Sequence, residues 1–293
     1  GVQTCALPIS IIRESMRTPQ LAAAVALTAL LWPTTAHAQA PSSAGTFMIL
    51  NARAAALGGA WVTGRDQDVV FTNPAQLIGA RTDFAATLLR AGDTGRGTAF
   101  GSTYAGGKLS LTLGWGLQGD DRHAAAALGG AVQYKGFKGG VTTKYVTSRD
   151  SASERVWLID AGLSRALFGG TAGLAVRNLG VDSPYRWRDE RFARQVVAGY
   201  SRSMTAGPLD LAAFGEVGRR SGFTSAAAGL EAGYSWIEGV SVQVRAGLRR
   251  NELAADRTMT LGAGVSLDRL TVDYALRLYT ESRRAHVVTL RWR

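Results

Sequence analysis

Apolar and polar residues alternate along most of the chain after residue 80. In residues 240–248 every even-numbered residue is apolar, whereas the odd-numbered residues are Ser241, Gln243, Arg245 and Gly247. Successive side chains of a β-strand point to opposite faces, so this pattern predicts a strand with one apolar and one polar face.

Fourteen such runs follow one another, from 83–91 to 285–293. A tilted strand of about 9 to 11 residues crosses a bilayer, and an even number of strands suits a closed antiparallel barrel. After Pro74 the only prolines are Pro184 and Pro208, both between runs, as paired strands require. The pattern predicts an all-β protein, an antiparallel transmembrane barrel of about fourteen strands.

The connections between runs are alternately short and long. Tight connections fall at 106–107, 136–137, 169–170, 205–207, 238–239 and 268–269, and longer, charged ones at 148–154, 180–192 and 250–256. This asymmetry is typical of outer-membrane barrels of Gram-negative-type bacteria, with both termini in the periplasm. A lumen of this width is too large for side chains to fill, so the apolar face is expected to meet lipid.

Within each run, alternate positions form two sets, one apolar and one polar, which we call the two parities of the strand. They predict which residues face outward and which line the lumen. Outward-facing candidates include Leu109, Trp115, Leu230, Trp236 and Leu276, with Trp236 and Trp292 at strand ends where aromatic girdles form. The lumen-facing candidates are Lys144, Asp160, Arg177, Asp210, Glu216, Glu231, Gln243, Arg245, Asp273, Arg277 and, on the last run, Arg291. Both charge signs are present, so a solvated channel wall and a set of paired groups are both open.

The beginning of the chain predicts export. Residues 1–15 precede a plausible initiator, Met16, and are expected to be a non-native leader. Residues 16–38 have the order of a signal peptide, with a short basic region, an apolar core at 21–32 and small residues at 36 and 38 for cleavage. We expect the mature chain to begin at Gln39.

Residues 39–80 lack the alternation and are expected to form a plug ahead of a barrel at 81–293. Residues 52–57 are good helix formers that end at Gly58 and Gly59. Asn73 and Pro74 are typical of the start of a second short helix, which Gly79 can end.

The order Arg-Ala-x-x-x-Gly-Gly-Ala, an aspartate pair, and Phe-x-Asn-Pro-Ala-x-Leu resembles the N-terminal region of FadL-like fatty-acid transporters, especially their PorV/PorQ-type relatives. The matching residues are Arg53, Gly58, Gly59, Asp66, Asp68, Asn73, Pro74 and Ala75. The PorV/PorQ resemblance implies an accessory barrel for protein secretion or surface attachment. The FadL-like resemblance implies the alternative, a plugged barrel that admits hydrophobic small molecules.

Charge and candidate chemistry change this picture little. Without the leader and signal the chain has 31 basic and 21 acidic residues, scattered singly, which disfavours nucleic acid as a partner. The one cysteine, Cys5, lies in the leader. Residues 114–119 match a dinucleotide-binding fingerprint by letters, but they lie within a predicted strand and open no helix. Outside the leader and signal there are two histidines, too few for a histidine-rich metal site. We therefore expect no enzyme, cofactor or metal.

The expected partners are outer-membrane lipid and lipopolysaccharide, with secretion proteins or a hydrophobic ligand.

Overall fold

The computed structural model describes the chain from residue 51 onward, with gaps. The described ranges are 51–66, 68–80, 83–91, 95–106, 109–118, 121–149, 153–180, 194–220, 223–251, 257–279 and 284–292. The predicted leader, signal peptide and cleavage site lie outside these residues. No helix within these ranges is long and apolar enough to span a membrane.

The chain forms a closed antiparallel barrel in which every strand pairs with its neighbours in sequence. The strands are β1 (Asp83–Ala91), β2 (Gly95–Gly106), β3 (Leu109–Gln118), β4 (Asp121–Tyr134), β5 (Phe137–Arg149), β6 (Ser153–Leu167), β7 (Gly170–Gly180), β8 (Gln195–Ala206), β9 (Leu209–Arg220), β10 (Phe223–Ile237), β11 (Val240–Asn251), β12 (Arg257–Leu267), β13 (Leu270–Leu278) and β14 (Arg284–Trp292). Pairing of β1 with β14, in the register Thr87 to Thr289, closes the barrel. The predicted all-β class is confirmed.

Alternation along each strand separates an apolar outer face from a polar inner face. Leu230 and Val244 are 64% and 57% exposed, whereas Arg245 and Asp273 on the opposite parity are buried. The side chains predicted to face outward on β3, Leu109 and Trp115 among them, lie outside the described side chains.

Two-residue turns join several strand pairs at one end of the barrel, which we call the turn end. Lys135 and Gly136 have φ angles of 47° and 83°, and Phe168 and Gly169 have 48° and 73°. Two successive positive φ angles match the right-handed twist of the flanking strands. The short connections predicted near 136 and 169 are confirmed.

Residues 51–80, the inner segment, contain three short helices: α1 (Ala52–Ala56), α2 (Val69–Thr72) and a 3₁₀ helix (Pro74–Leu77). Asn73 accepts a hydrogen bond through its side chain from the Ala75 amide at 3.1 Å, as expected of an N-cap. Gly58 ends α1 with a φ of 69°, as predicted. The sequence did not predict α2.

The inner segment lies inside the barrel, and inward-facing glycines of the wall make room for it. A Cβ added to Gly229 on β10 would lie 2.7 Å from the Leu57 Cβ atom. Across the lumen, a Cβ on Gly140 of β5 would meet the Pro74 backbone. The glycines that interrupt the polar parity therefore set the distance between wall and segment.

Apolar contacts complete this packing at two places. Small residues of α1 form a buried cluster with Ala275, Ala285 and Val287 of β13 and β14. Val69, Val70 and Leu77 form another with Ala127 and Ala131 of β4. The two halves of the inner segment thus pack on opposite sides of the barrel.

Candidate functional site

Six charged side chains join the first half of the inner segment to the wall in a closed ring of ion pairs, the charge ring. Arg53 pairs with Asp66 at 3.5 Å and with Glu231 at 2.6 Å. Arg245 pairs with Glu231 at 2.5 Å and with Asp273 at 2.7 Å. Arg291 closes the ring at 2.6 Å from Asp273 and 2.8 Å from Asp66.

The charge ring is neutral, with three arginines alternating with three carboxylates. Arg53 binds Glu231 through two hydrogen bonds, from Nε at 2.8 Å and from Nη2 at 2.6 Å. Such bidentate pairs are among the stronger and more directional ones. Burial acts to lower the pKa of the Arg53 guanidinium, but the carboxylates of Asp66 and Glu231 outweigh it and raise that pKa above its ordinary value. The ring therefore holds two residues of the inner segment against four strands: β10, β11, β13 and β14.

Asp68 lies beside the ring and takes no part in it. Its carboxylate accepts hydrogen bonds from the Trp61 indole at 2.9 Å and from the Asn51 amide at 3.4 Å. Burial, and then the neighbouring Asp66 carboxylate, raise the pKa of Asp68 to about 7. Asp68, one of the residues that carry the N-terminal resemblance, thus bonds to groups within the inner segment itself.

Trp61 is the largest fully buried side chain of the inner segment. The Arg53 guanidinium lies 5.2 Å from its ring centroid, and the Phe214 ring of β9 lies at 5.6 Å. The Trp61 and Val62 amides both donate to one Glu216 carboxylate oxygen at 2.8 Å. Glu216 thus satisfies two backbone donors that have no helical partner.

The second half of the inner segment is held mainly by neutral groups and by single cations on carbonyl oxygens. Arg177 of β7 donates to the Thr72 carbonyl at 2.7 Å, and Lys138 of β5 donates to the Ile78 carbonyl at 2.9 Å. Gln76 donates to the Ser164 hydroxyl of β6 at 3.0 Å. Residues 69–80 contain no Asp or Glu, so this half is anchored to the other side of the barrel without ion pairs of its own carboxylates.

A β-bulge in the wall aims Arg177 at the inner segment. The register shifts at Asp160, and Asn178 opposite has a φ of 58°. Lys144 bonds the Asn178 side chain at 2.9 Å and the Asp160 carboxylate at 2.7 Å, while Asp160 accepts from the Asn178 amide at 2.8 Å. Lys144 and Asp160, both fully buried, therefore fix the bulge rather than contact the inner segment.

Three other predicted lumen residues lie apart from the inner-segment contacts. Asp210 is exposed near the turn end and accepts from Thr205 at 3.0 Å. Gln243 donates to Ser241 at 2.6 Å, and Arg277 stacks 5.5 Å from the Tyr279 ring. No group of three or more metal-ligating side chains occurs in the described ranges.

Sequence reasoning missed the threonines that bind α1. Thr289 accepts from the Ala52 amide at 2.8 Å, and Thr260 accepts from the Gly58 amide at 3.0 Å while donating to the Ala56 carbonyl at 2.7 Å. Both threonines lie at strand positions that the alternation assigns to the lumen, so the sequence pattern could have indicated them. Asn51 caps α1 by accepting from the Ala54 amide at 2.7 Å, a role the residue type alone allows but does not require.

These features define a closed β-barrel with an N-terminal segment bound inside it. No family model matches the chain, and no curated protein matches it.

Solved structures with this architecture do match. The chain is similar to the CymD monoaromatic hydrocarbon channel, with a TM-score of 0.56 and 12% identity over 83% of this chain and 96% of that one. The toluene transporter TbuX of Ralstonia pickettii has a TM-score of 0.52 and 13% identity over 83% and 98% of the two chains. The toluene transporter TodX of Pseudomonas putida has a TM-score of 0.52 and 9% identity over 83% and 96%. At these identities the likeness is one of fold.

Proposed function

We propose that this protein is an outer-membrane channel that admits hydrophobic small molecules, with the inner segment as its movable closure. The observation that carries the proposal is the inner segment itself, which is buried in the lumen and held against the wall by non-covalent contacts, charged, polar and apolar. Similarity to hydrocarbon channels over 83% of the chain supports the same function.

Placement in a membrane rests on the outer face of the barrel. Large apolar side chains are exposed on strands around the barrel, for example Leu128, Trp157, Leu230, Val244 and Leu290. Monomeric soluble proteins rarely expose contiguous apolar surface on this scale, whereas an outward apolar band is what a transmembrane barrel requires. The signal peptide expected at 16–38 supplies the route to the outer membrane.

The accessory role in secretion or surface attachment rests on the resemblance of residues 51–79 to PorV/PorQ-type proteins. The matched structures named above are channels and transporters, and they lend that role no support. Entry of a hydrophobic molecule is therefore the function to test first.

Uptake by intact cells tests the proposal. Cells that produce the protein are expected to take up a labelled hydrophobic compound, such as naphthalene, faster than cells with an empty vector, with no gain for a hydrophilic sugar of similar mass. Equal naphthalene uptake by both strains, with the barrel folded in the outer membrane, would contradict it.

Two disulfide locks then test whether the inner segment moves. The mature chain has no cysteine, so Ala52→Cys with Thr289→Cys ties the first half to β14, and Gln76→Cys with Ser164→Cys ties the second half to β6. We expect at least one lock to stop uptake when oxidised and to restore it when reduced. The four single-cysteine variants are the controls, and full uptake with both locks closed would exclude movement of the segment.

A further inference from the structure

Three further arginines of the wall face the lumen near the end of the barrel opposite the turn end, which we call the loop end. They are Arg177 of β7, Arg249 of β11 and Arg277 of β13. Arg249 and Arg277 lie four residues closer to the loop end than Arg245 and Asp273 of the charge ring. The three arginines are therefore separate from that ring.

None of the three makes an ion pair within the described residues. Arg177 donates from Nε to the Thr72 carbonyl at 2.7 Å, and Arg249 donates from Nη1 to the Gly58 carbonyl at 3.4 Å. The Arg277 Nε is buried and has no hydrogen-bond partner in the described part of the chain. Each guanidinium has five N–H donors, so these contacts leave donors available on all three arginines.

The three charges lie close to one another. The like charges of Arg177 and Arg277 both act on the Arg249 guanidinium. Register places Arg249 opposite Thr258 of β12 and Arg277 opposite Thr260, the next lumen-facing residue of the same strand. Two strand spacings put the Arg249 and Arg277 backbones roughly 10 Å apart, a span that two arginine side chains can close on one anion.

One carboxylate stands near this cluster. Glu216 of β9 acts on Arg249, but its Oε2 atom accepts from the Trp61 and Val62 amides of the inner segment. Three arginines and one carboxylate leave a net charge of +2 among these described residues. Charge that is removed from water without compensation is costly, so an anion of charge −2 would balance the cluster.

Tyr279 adds a hydroxyl group at the same place. The Arg277 guanidinium lies 5.5 Å from the Tyr279 ring centroid, and the Tyr279 phenol also acts on Arg249. A phenol O–H donates to anionic oxygens as an N–H does. The cluster thus offers four side-chain donors to one anion.

We propose that Arg177, Arg249 and Arg277 bind a phosphate dianion in the lumen, with Tyr279 as a further donor. Arginine suits this role because its planar guanidinium binds two phosphate oxygens at once. The bound anion removes the repulsion between the three cations and joins β7, β11 and β13 beside the inner segment, so it stabilises the closed barrel. The site depends on the barrel and its lumen but not on what the channel admits.

Equilibrium dialysis tests the site with inorganic phosphate as the probe. The purified full-length protein in a non-ionic detergent is dialysed against radiolabelled phosphate, in excess sodium chloride and at a pH at which phosphate is doubly charged. We expect saturable binding of one phosphate per chain. Arg249→Gln and Arg277→Gln are each expected to weaken binding about tenfold, and the double variant to lose it.

Arg219→Gln is the matched control, because Arg219 is an exposed arginine on the outward parity of β9. It is expected to bind phosphate as the unaltered protein does. A heat-dependent gel shift confirms that each variant is a folded barrel. As a second measurement, phosphate is expected to raise the urea midpoint of the unaltered protein above its value in sodium chloride of equal ionic strength, and to leave that of the double variant unchanged.

Three results would overturn the proposal. These are no saturable phosphate binding by the unaltered protein, undiminished affinity in the double variant, and displacement of phosphate by an equal concentration of benzoate, which would assign the arginines to a hydrophobic acid carried by the channel. Phosphate binding and naphthalene uptake are measured separately, so failure of this site and failure of the proposed channel function are distinguishable.

Discussion

Arg53 carries two of the six ion pairs in the charge ring and is the only cation that the inner segment contributes to it. Its removal leaves Glu231 with Arg245 and Asp66 with Arg291, so the buried Asp66 and the partly buried Glu231 each lose one partner. Loss of one member of a buried pair is costly because the other charge remains without its full compensation.

A double-mutant cycle measures this coupling. Arg53→Gln and Glu231→Gln are each expected to lower the free energy of unfolding by about 1 to 3 kcal/mol, and the double variant by clearly less than their sum. Urea-dependent unfolding from lipid vesicles is the measurement. Additive effects would show that the two side chains are not coupled as the structure places them.

Asp68 predicts that the stability of the protein with its inner segment packed in the lumen depends on pH. Its pKa is raised to about 7 in the folded state, mainly by burial, from an ordinary value of about 4. The folded state therefore favours the protonated carboxyl. Its contribution to stability is complete below about pH 4 and is lost as the pH rises through about 7.

Asp68→Asn is expected to flatten this dependence, because the amide keeps an acceptor for the Trp61 indole but does not titrate. The urea midpoints of both proteins at pH 5, 7 and 8 test it, with the unaltered protein expected to weaken between pH 5 and 8. The same decline in the variant would assign the pH dependence to another group.

At the scale of a single element, β13 provides a direct comparison of the two faces. Asp273 and Ala275 of this strand are buried toward the lumen, whereas Val272 and Tyr274 are exposed on the outer wall. Leu276 and Arg277 are adjacent and continue the two parities, so they lie at nearly the same depth.

Leu276→Arg is expected to destabilise the barrel by roughly 2 to 4 kcal/mol, because it places a charge on the lipid face. Arg277→Leu is expected to leave the barrel folded. Urea-dependent refolding of both variants into vesicles measures the difference. Greater damage from Arg277→Leu would mean that the lumen and lipid faces are reversed.

For the molecule as a whole, the inner segment occupies the lumen from α1, against β13 and β14, to the 3₁₀ helix, against β4, β5 and β6. The wall itself is closed by hydrogen bonds between β1 and β14 and does not need the segment to complete a sheet. The barrel and the inner segment are thus separable in structure.

Deletion of residues 51–79 is expected to raise single-channel conductance in planar bilayers by several fold, because it empties the lumen while the wall remains paired. A heat-dependent gel shift must show that the deletion variant is folded. Near-zero conductance in that folded variant would show that the inner segment is not what closes the channel.

Alternation alone determined the class, the approximate strand bounds, the two faces and the tight turns, because each depends on neighbours in sequence and on a repeat of two residues. Helix caps at Asn73 and Gly58 are local in the same sense. The sequence also provided the charged residues of the ring, but not their order, since Arg53 and Glu231 are 178 residues apart and meet only when the barrel closes. Helix α2 was missed because a four-residue helix with no side-chain cap is stabilised by its contacts with β4 rather than by its own residues. The bulge at Asn178 likewise depends on strand register, which only the tertiary structure decided.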